Sequence, residues 1–368
     1  MRLSISSVFI TLITASLLIL FLHTLLTGKK SHAFFRTDFL TVLLLTILLR
    51  LLFPIEFPFT ITILSRHVMT AIRNVLVHPI TRSFTLLQLL LVIWGMGVLL
   101  QGIRLLWRIR SVHALCTYLK KHSRVLHLSD FGISCEKADH PVYICNEIRL
   151  PMVPGFQQAI FLPTDTCRNE DLHFILLHEA EHIRHHDIFI KQLVNILAMI
   201  YWWFPPIYLL QKQIDLYLDM RVDTVVTRSM TLTQYQAYMQ TILDIQKRQV
   251  TSTPENMQPQ FNCFLSHSEK SLTFRIHYLM EGIFKKRTNR MLLLFAFILP
   301  FLSNAIIMEP DYINSPAIQD TFSEDDFNDG YIIHHKDGTY TFVIAGNEVH
   351  INDPDGPDFQ GIPIIEED

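Results

Sequence analysis

Cysteine is scarce in this sequence and falls into no pattern. The five present are Cys116, Cys135, Cys145, Cys167 and Cys263. None pairs at a spacing typical of a zinc ribbon, and an odd number confined to the middle of the chain argues against a disulfide framework. Free thiols in a reducing compartment are expected, each a small buried hydrophobe. Basic residues are nearly missing from the end of the chain. Glu309–Asp368 holds fifteen Asp and Glu against Lys336 alone. That segment carries −14, which leaves +11 for the rest within a total of −3. An acidic tail therefore follows a basic body. No direct nucleic-acid contact is expected.

Charge is also missing from several long runs, and mean hydropathy is positive at +0.27. Ser7–Leu26 has no charged residue and is long enough to cross a bilayer. It is longer than a signal-peptide core and lacks a small-residue cleavage site before Lys29-Lys30, so it is expected to remain. Phe39–Phe57 is interrupted only by Arg50 and Glu56, Ser83–Ile103 is charge-free, and Met291–Met308 is shorter and contains Pro300. Four spans are expected. Lys29, Lys30 and Arg36 follow the first; Arg104, Arg108 and Arg110 follow the third; Lys285, Lys286, Arg287 and Arg290 precede the fourth. All three clusters share the cytoplasmic side if the N-terminus is outside. Residues 104–290 are then cytoplasmic and the tail, 309–368, is extracytoplasmic. Between spans two and three (about residues 58–82), Ile61, Leu64, Val68, Ile72 and Val75 recur at helical spacing opposite Arg66, His67 and Arg73. An amphipathic helix on the membrane surface or against the bundle is expected.

Chemistry concentrates in His178-Glu179-Ala180-Glu181-His182. On a helix the two histidines lie one turn apart on one face, so both imidazoles can reach one tetrahedral ion. Glu179 is the candidate general base, taking a proton from water and delivering it to a leaving amine. A third ligand is needed. His186 lies about 12 Å from His178 along a continuous helix, and no glycine supplies a break; His173, His185 and His186 read as surface or supporting residues. Asp215, Asp219 and Asp223 form a carboxylate stripe downstream. Like charges at that spacing repel, which a cation or a histidine would offset.

These residues resemble those of the BlaR/MecR-type antirepressor metalloproteases. The resemblance rests on the HExxH at 178–182 followed by Asp187, on Trp203-Phe204-Pro205-Pro206, and on Asp219-Met-Arg-Val-Asp223. Ile148–Gly155 and Ala159–Pro163 resemble the strand segment before the active-site helix, and Leu272-Thr-Phe-Arg275-Ile276 the short motif before the last span. The resemblance implies a gluzincin-like zinc protease, with Zn2+ held by His178, His182 and Asp219. Asp187 and Asp223 would orient imidazoles. It also implies a cytoplasmic protein substrate, such as a transcriptional repressor. Two features depart from the family. Its third ligand is glutamate, and Asp219 is one methylene shorter. Its β-lactam receptors carry a large penicillin-binding sensor, whereas about 60 residues follow the fourth span here, so direct β-lactam acylation is not expected.

Within the tail, Tyr331–His334, Tyr340–Ile344 and Val349–Ile351 alternate around Asp337-Gly338 and Gly346-Asn347, a hairpin signal. Val250–Asn262, polar with two prolines, reads as an exposed loop. The expected fold is mainly α: a four-span transmembrane bundle, an inserted α+β gluzincin-like protease domain, and a short β-rich acidic tail. The expected place is the bacterial cytoplasmic membrane. Competing readings are a non-catalytic transducer with a decayed site and a membrane quality-control protease.

Overall fold

The computed structural model describes residues 4–27, 36–54, 60–65, 68–81, 84–133, 139–148, 151–164, 169–251, 269–281, 288–302, 305–309, 330–336, 338–344, 347–351, 353–354, 359 and 362–366. Several sequence expectations fall outside these: Lys29, Lys30, Lys285–Arg287, Arg66, His67, three of the cysteines, the polar segment from 252 onward and the acidic stretch 310–329. The chain divides into two compact units, residues 1–61 with 87–307, and residues 62–86 with 308–368.

The first unit is mainly helical. Helix α1 (Ile5–Thr27) buries Thr11, Ala15, Ile19, Leu22 and Leu26 at three- and four-residue spacing. Its other face exposes Phe9, Ile13, Leu17 and Leu20. A helix apolar all round has one face in a protein core and one available to lipid. Helix α2 (Thr37–Leu52) buries Leu40, Leu43, Leu44, Ile47 and Leu51. It runs antiparallel to α1, with Ser7 Oγ donating to the Pro54 carbonyl at 2.9 Å. Helix α4 (Leu86–Lys121) has no fully buried residue over its apolar stretch and exposes Leu91, Val92, Leu99, Leu100 and Trp107, a patch far beyond what a soluble surface tolerates.

Among the described residues, α1 and α4 are the two helices long and apolar enough to cross a membrane. Helix α2 has 16 residues and α10 (Arg290–Leu302) has 13, each shorter than the ~20 that a bilayer requires of an untilted helix.

A three-stranded sheet of β4 (Arg124–His127), β5 (Pro141–Cys145) and β6 (Ile160–Pro163) follows, antiparallel then parallel. Ile160 and Leu162 on β6 pack against Ile175, Leu176, Ala180 and Ile183 of α5 (Asn169–Arg184). This packing fixes the face of α5 that turns away from the sheet. Cys145 is a free buried thiol, and burial pushes its pKa up to about 12; Cys116 is likewise free and buried. Helices α6 (Asp187–Ile200) and α7 (Pro206–Val226) are separated by a short bend that ends in Pro205 and Pro206. Both share a core with α1 and α2. Helices α8 (Leu232–Thr251) and α9 (Glu269–Glu281) close the unit.

The amphipathic segment differs from the single long helix expected. Helix α3 covers only Val68–Val77, while Ile61 and Leu64 lie in strand β1 (Ile61–Leu64), which pairs with β7 (Ile306–Glu309). A two-stranded pair of β2 (Pro79–Thr81) and β3 (Phe84–Thr85) precedes α4. In the tail, β8 (Tyr331–His334), β9 (Tyr340–Ile344) and β10 (Asn347–Ile351) form a meander. β11 (Ile364–Glu366) adds in parallel beside β8. Ile332, Phe342, Ile344 and Ile351 are its small core.

Candidate metal centre

The centre is built from five helices. On α5, His178 and His182 are one turn apart, with their Nε2 atoms 3.1 Å from each other. Helix α5 does not continue, although no glycine interrupts it. It stops at Arg184, and His186 takes a left-handed backbone with φ of 54°. Asn, Asp and His enter that region more readily than other side chains. The break replaces the continuous helix expected from the sequence and turns Asp187 back onto the site. Asp187 Oδ2 lies 2.7 Å from His182 Nδ1, and its other oxygen pairs with Arg221 of α7.

His178 is held in the same sense. Its Nδ1 is 2.9 Å from the Tyr238 hydroxyl on α8 and 3.3 Å from Asp223 Oδ1 on α7. Tyr238 in turn donates to Asp223 at 2.7 Å. With both Nδ1 atoms engaged, both Nε2 atoms face one point. Asp219 Oδ1 approaches His182 Nε2 at 3.5 Å. The three candidate ligand atoms of His178, His182 and Asp219 all lie within 4.8 Å of one another.

Zn–N bonds of ~2.0–2.1 Å at a tetrahedral angle place two nitrogens about 3.3–3.4 Å apart. The observed 3.1 Å separation suits that geometry, as does the donor set of two imidazoles and one carboxylate. Carboxylate-held Nδ1 atoms are the usual support for such ligands. The residues present therefore fit a zinc ion. Asp219 is 4% exposed, on a helix packed directly against α5.

Arg275, on α9, completes the arrangement. Its Nε and Nη2 donate to the two oxygens of Asp223 at 2.8 and 2.9 Å, and its Nη1 donates to Asp219 Oδ2 at 3.0 Å. Burial alone would raise the Asp223 carboxyl, yet the Arg275 guanidinium and His178 hold it well below the usual carboxylate range. Burial works against the Arg275 charge, and the two carboxylates more than restore it. Burial and the Asp223 charge push the Tyr238 phenol well above its ordinary value, so it remains a donor. For His182, burial lowers the pKa, but hydrogen bonds to Asp187 and Asp219 outweigh it and raise the value to about 9. A cation binding there displaces a proton.

Asp215 stands apart from the stripe. It pairs with Lys191 of α6 at 2.8 Å and is 41% exposed. His173 is exposed, and His185 pairs with Glu181 at 2.8 Å. Glu179 and His186 line a cavity of about 210 Å³ that opens on the imidazoles, walled on its apolar side by Met152, Val153, Phe156 and Ile183. Tyr238, Arg221 and the pairing role of Arg275 are not apparent from local sequence. Their signal is indirect: buried, mutually repelling carboxylates require a cation from elsewhere in the chain.

The family model described as BlaR1 peptidase M56 matches residues 8–279. The Methicillin resistance mecR1 protein of Staphylococcus aureus is 26% identical over 165 residues, 42% of this chain and 28% of that protein. The mecR1 protein of Staphylococcus epidermidis matches with the same identity and coverage. The chain thus spans 28% of the length of these relatives in the matched region.

Proposed function

This chain belongs to the BlaR1 peptidase M56 family, and on that premise we propose that it is a membrane-embedded zinc endopeptidase that transmits an extracytoplasmic signal. It does so by cutting a cytoplasmic protein, with a transcriptional repressor as the substrate class. The observation that carries the reading is the meeting of two Nε2 atoms and one carboxylate over a cavity lined by Glu179. His178, His182 and Asp219 would hold the ion. When bound, zinc supplies Lewis acidity toward a peptide carbonyl and lowers the pKa of water. Glu179 removes the proton from the attacking water and returns it to the departing amine. Asp187, Asp223 and Tyr238 keep the imidazoles in the tautomer that presents Nε2. Arg275 fixes both α7 carboxylates, leaving one Asp219 oxygen directed at the centre.

In this reading residues 1–103 supply three spans and an outer loop, 104–290 the cytoplasmic protease domain, 291–308 a fourth span, and 309–368 an extracytoplasmic tail. The distribution of arginine and lysine supports this orientation. A reporter active only outside the cytoplasm is expected to work when fused after Asp320 and to fail after Arg228. The reverse pattern would put the protease outside.

The function itself is tested by labelling new protein N-termini in cells making the wild-type chain or His178→Ala. At least one cytoplasmic protein should show an internal N-terminus only with the wild type. Identical N-terminal profiles, in cells exposed to the inducing signal, would contradict the endopeptidase reading.

A further inference from the structure

The α6–α7 hairpin lies deeper among the apolar helices than a protease domain at the membrane surface requires. Near its base, the Tyr217 hydroxyl bonds Thr41 Oγ1 of α2 at 2.7 Å. At its tip, the Tyr201 hydroxyl donates to the Leu51 carbonyl of the same helix at 2.9 Å. Thr41 and Leu51 are ten residues apart, about 15 Å along a helix, or about half the hydrocarbon thickness of a bilayer. The tip also reaches the apolar stretch of α4. Trp94 Nε1 donates to the Ile200 carbonyl at 2.9 Å, and Trp202 Nε1 donates to the Trp94 carbonyl at 3.3 Å. Glycine at 97 is needed there, because a Cβ would overlap the Trp202 indole.

Five backbone carbonyls at the tip have partners within the bundle. The Ile200 carbonyl takes Trp94, the Tyr201 carbonyl takes Phe204 N at 2.8 Å, and the Trp202 carbonyl takes the Tyr208 hydroxyl at 2.6 Å. The Phe204 and Pro205 carbonyls take the amides of Ile207 and Tyr208, both at 3.1 Å. Pro205 and Pro206 bring no amide hydrogen. Polarity is graded along the hairpin. Lys191 and Asp215 pair at the base, Gln211 donates to Asn195 at 3.1 Å one level up, and Ile196–Leu210 contains no charge. Its outer surface presents Ile196, Trp203 and Tyr208, each more than 40% exposed.

We propose that α6–α7 is a re-entrant hairpin embedded in the bilayer, with Trp203 at its tip facing acyl chains. The inference rests on the reading that α1 and α4 cross the membrane. It adds a route from the spans to the metal centre, because the base of this hairpin carries Asp187 at one end and Asp219 and Asp223 at the other. A shift of the tip against α2 or α4 moves all three carboxylates relative to α5.

The test uses the full chain in lipid nanodiscs, whose two faces are both open to water. Tryptophan fluorescence is quenched with phospholipids brominated at mid-chain or with aqueous iodide. The contribution of Trp203 is read as the difference between wild type and Trp203→Phe, and Leu99→Trp reports α4 itself. Quenching by bromolipid, but not by iodide, is expected at both positions. If Leu99→Trp is quenched by bromolipid while Trp203 yields to iodide, the hairpin is outside the bilayer and the inference fails alone. If neither yields to bromolipid, the spanning reading fails and takes the inference with it. Coupling is read separately: Gly97→Ala should reduce substrate cleavage, and Gly95→Ala, whose Cβ meets nothing within 4 Å, should not. Equal activities of the two variants would remove the mechanical link.

Discussion

Glu179→Gln is expected to retain zinc and to lose about 10²–10⁴-fold in cleavage rate, the usual contribution of a positioned acid–base group. Glutamine keeps the volume and hydrogen-bonding reach of the side chain but cannot accept the proton from water. The imidazoles are held from behind by Asp187, Asp223 and Tyr238, none of which contacts position 179 through these bonds, so the ligand geometry should survive. The measurement is a single-turnover rate on the cleaved protein, with metal content determined on the same sample. Full activity in Glu179→Gln would mean that another group moves the proton.

The second large effect falls on stability. Arg275→Ala leaves two buried carboxylates, 4% and 0% exposed, without their shared guanidinium. Removing one partner from a buried ion cluster typically costs about 3–5 kcal/mol, because the remaining charge stays desolvated. The loss should appear as a lowered unfolding midpoint in zinc-depleted protein, where no cation can take over part of the role. Arg275→Lys should recover only part of it, since an ammonium cannot match both oxygens of Asp223 while also reaching Asp219. A midpoint unchanged in Arg275→Ala would show that the three-residue cluster contributes nothing to the fold.

Much of the centre is legible in the sequence because its signals are local. The four-residue spacing of His178 and His182, and of Asp219 and Asp223, is a helical repeat, and helix geometry alone brings each pair to one face. The resemblance to BlaR/MecR-type proteases selects Asp219 over Asp215, and the structure brings Asp219, rather than Asp215, to the imidazoles. The break after α5 is not legible. It depends on a left-handed histidine, His186, in place of the glycine that usually marks such a stop. Nor are the contacts of Tyr238 and Arg275, which arrive from helices 15 and 52 residues beyond Asp223. The fold shows the same division. Apolar runs disclose α1 and α4, but the helical spacing of Ile61 and Leu64 gives way to a strand because the segment pairs with β7, which is distant in the chain. The packing of the α6–α7 hairpin against α2 and α4 is likewise tertiary. Its apolar sequence serves a core helix and a membrane helix equally well.

The most direct measurement is the zinc content of purified protein and of three variants. About one zinc per chain is expected in the wild type and in Asp215→Ala, whose carboxylate pairs with Lys191 instead of facing the centre. His178→Ala and Asp219→Ala should each lose it, having given up one of three protein ligands. A wild-type chain that holds no zinc after purification in its presence, or one in which Asp215→Ala strips the metal while Asp219→Ala keeps it, would contradict a metal centre built on His178, His182 and Asp219.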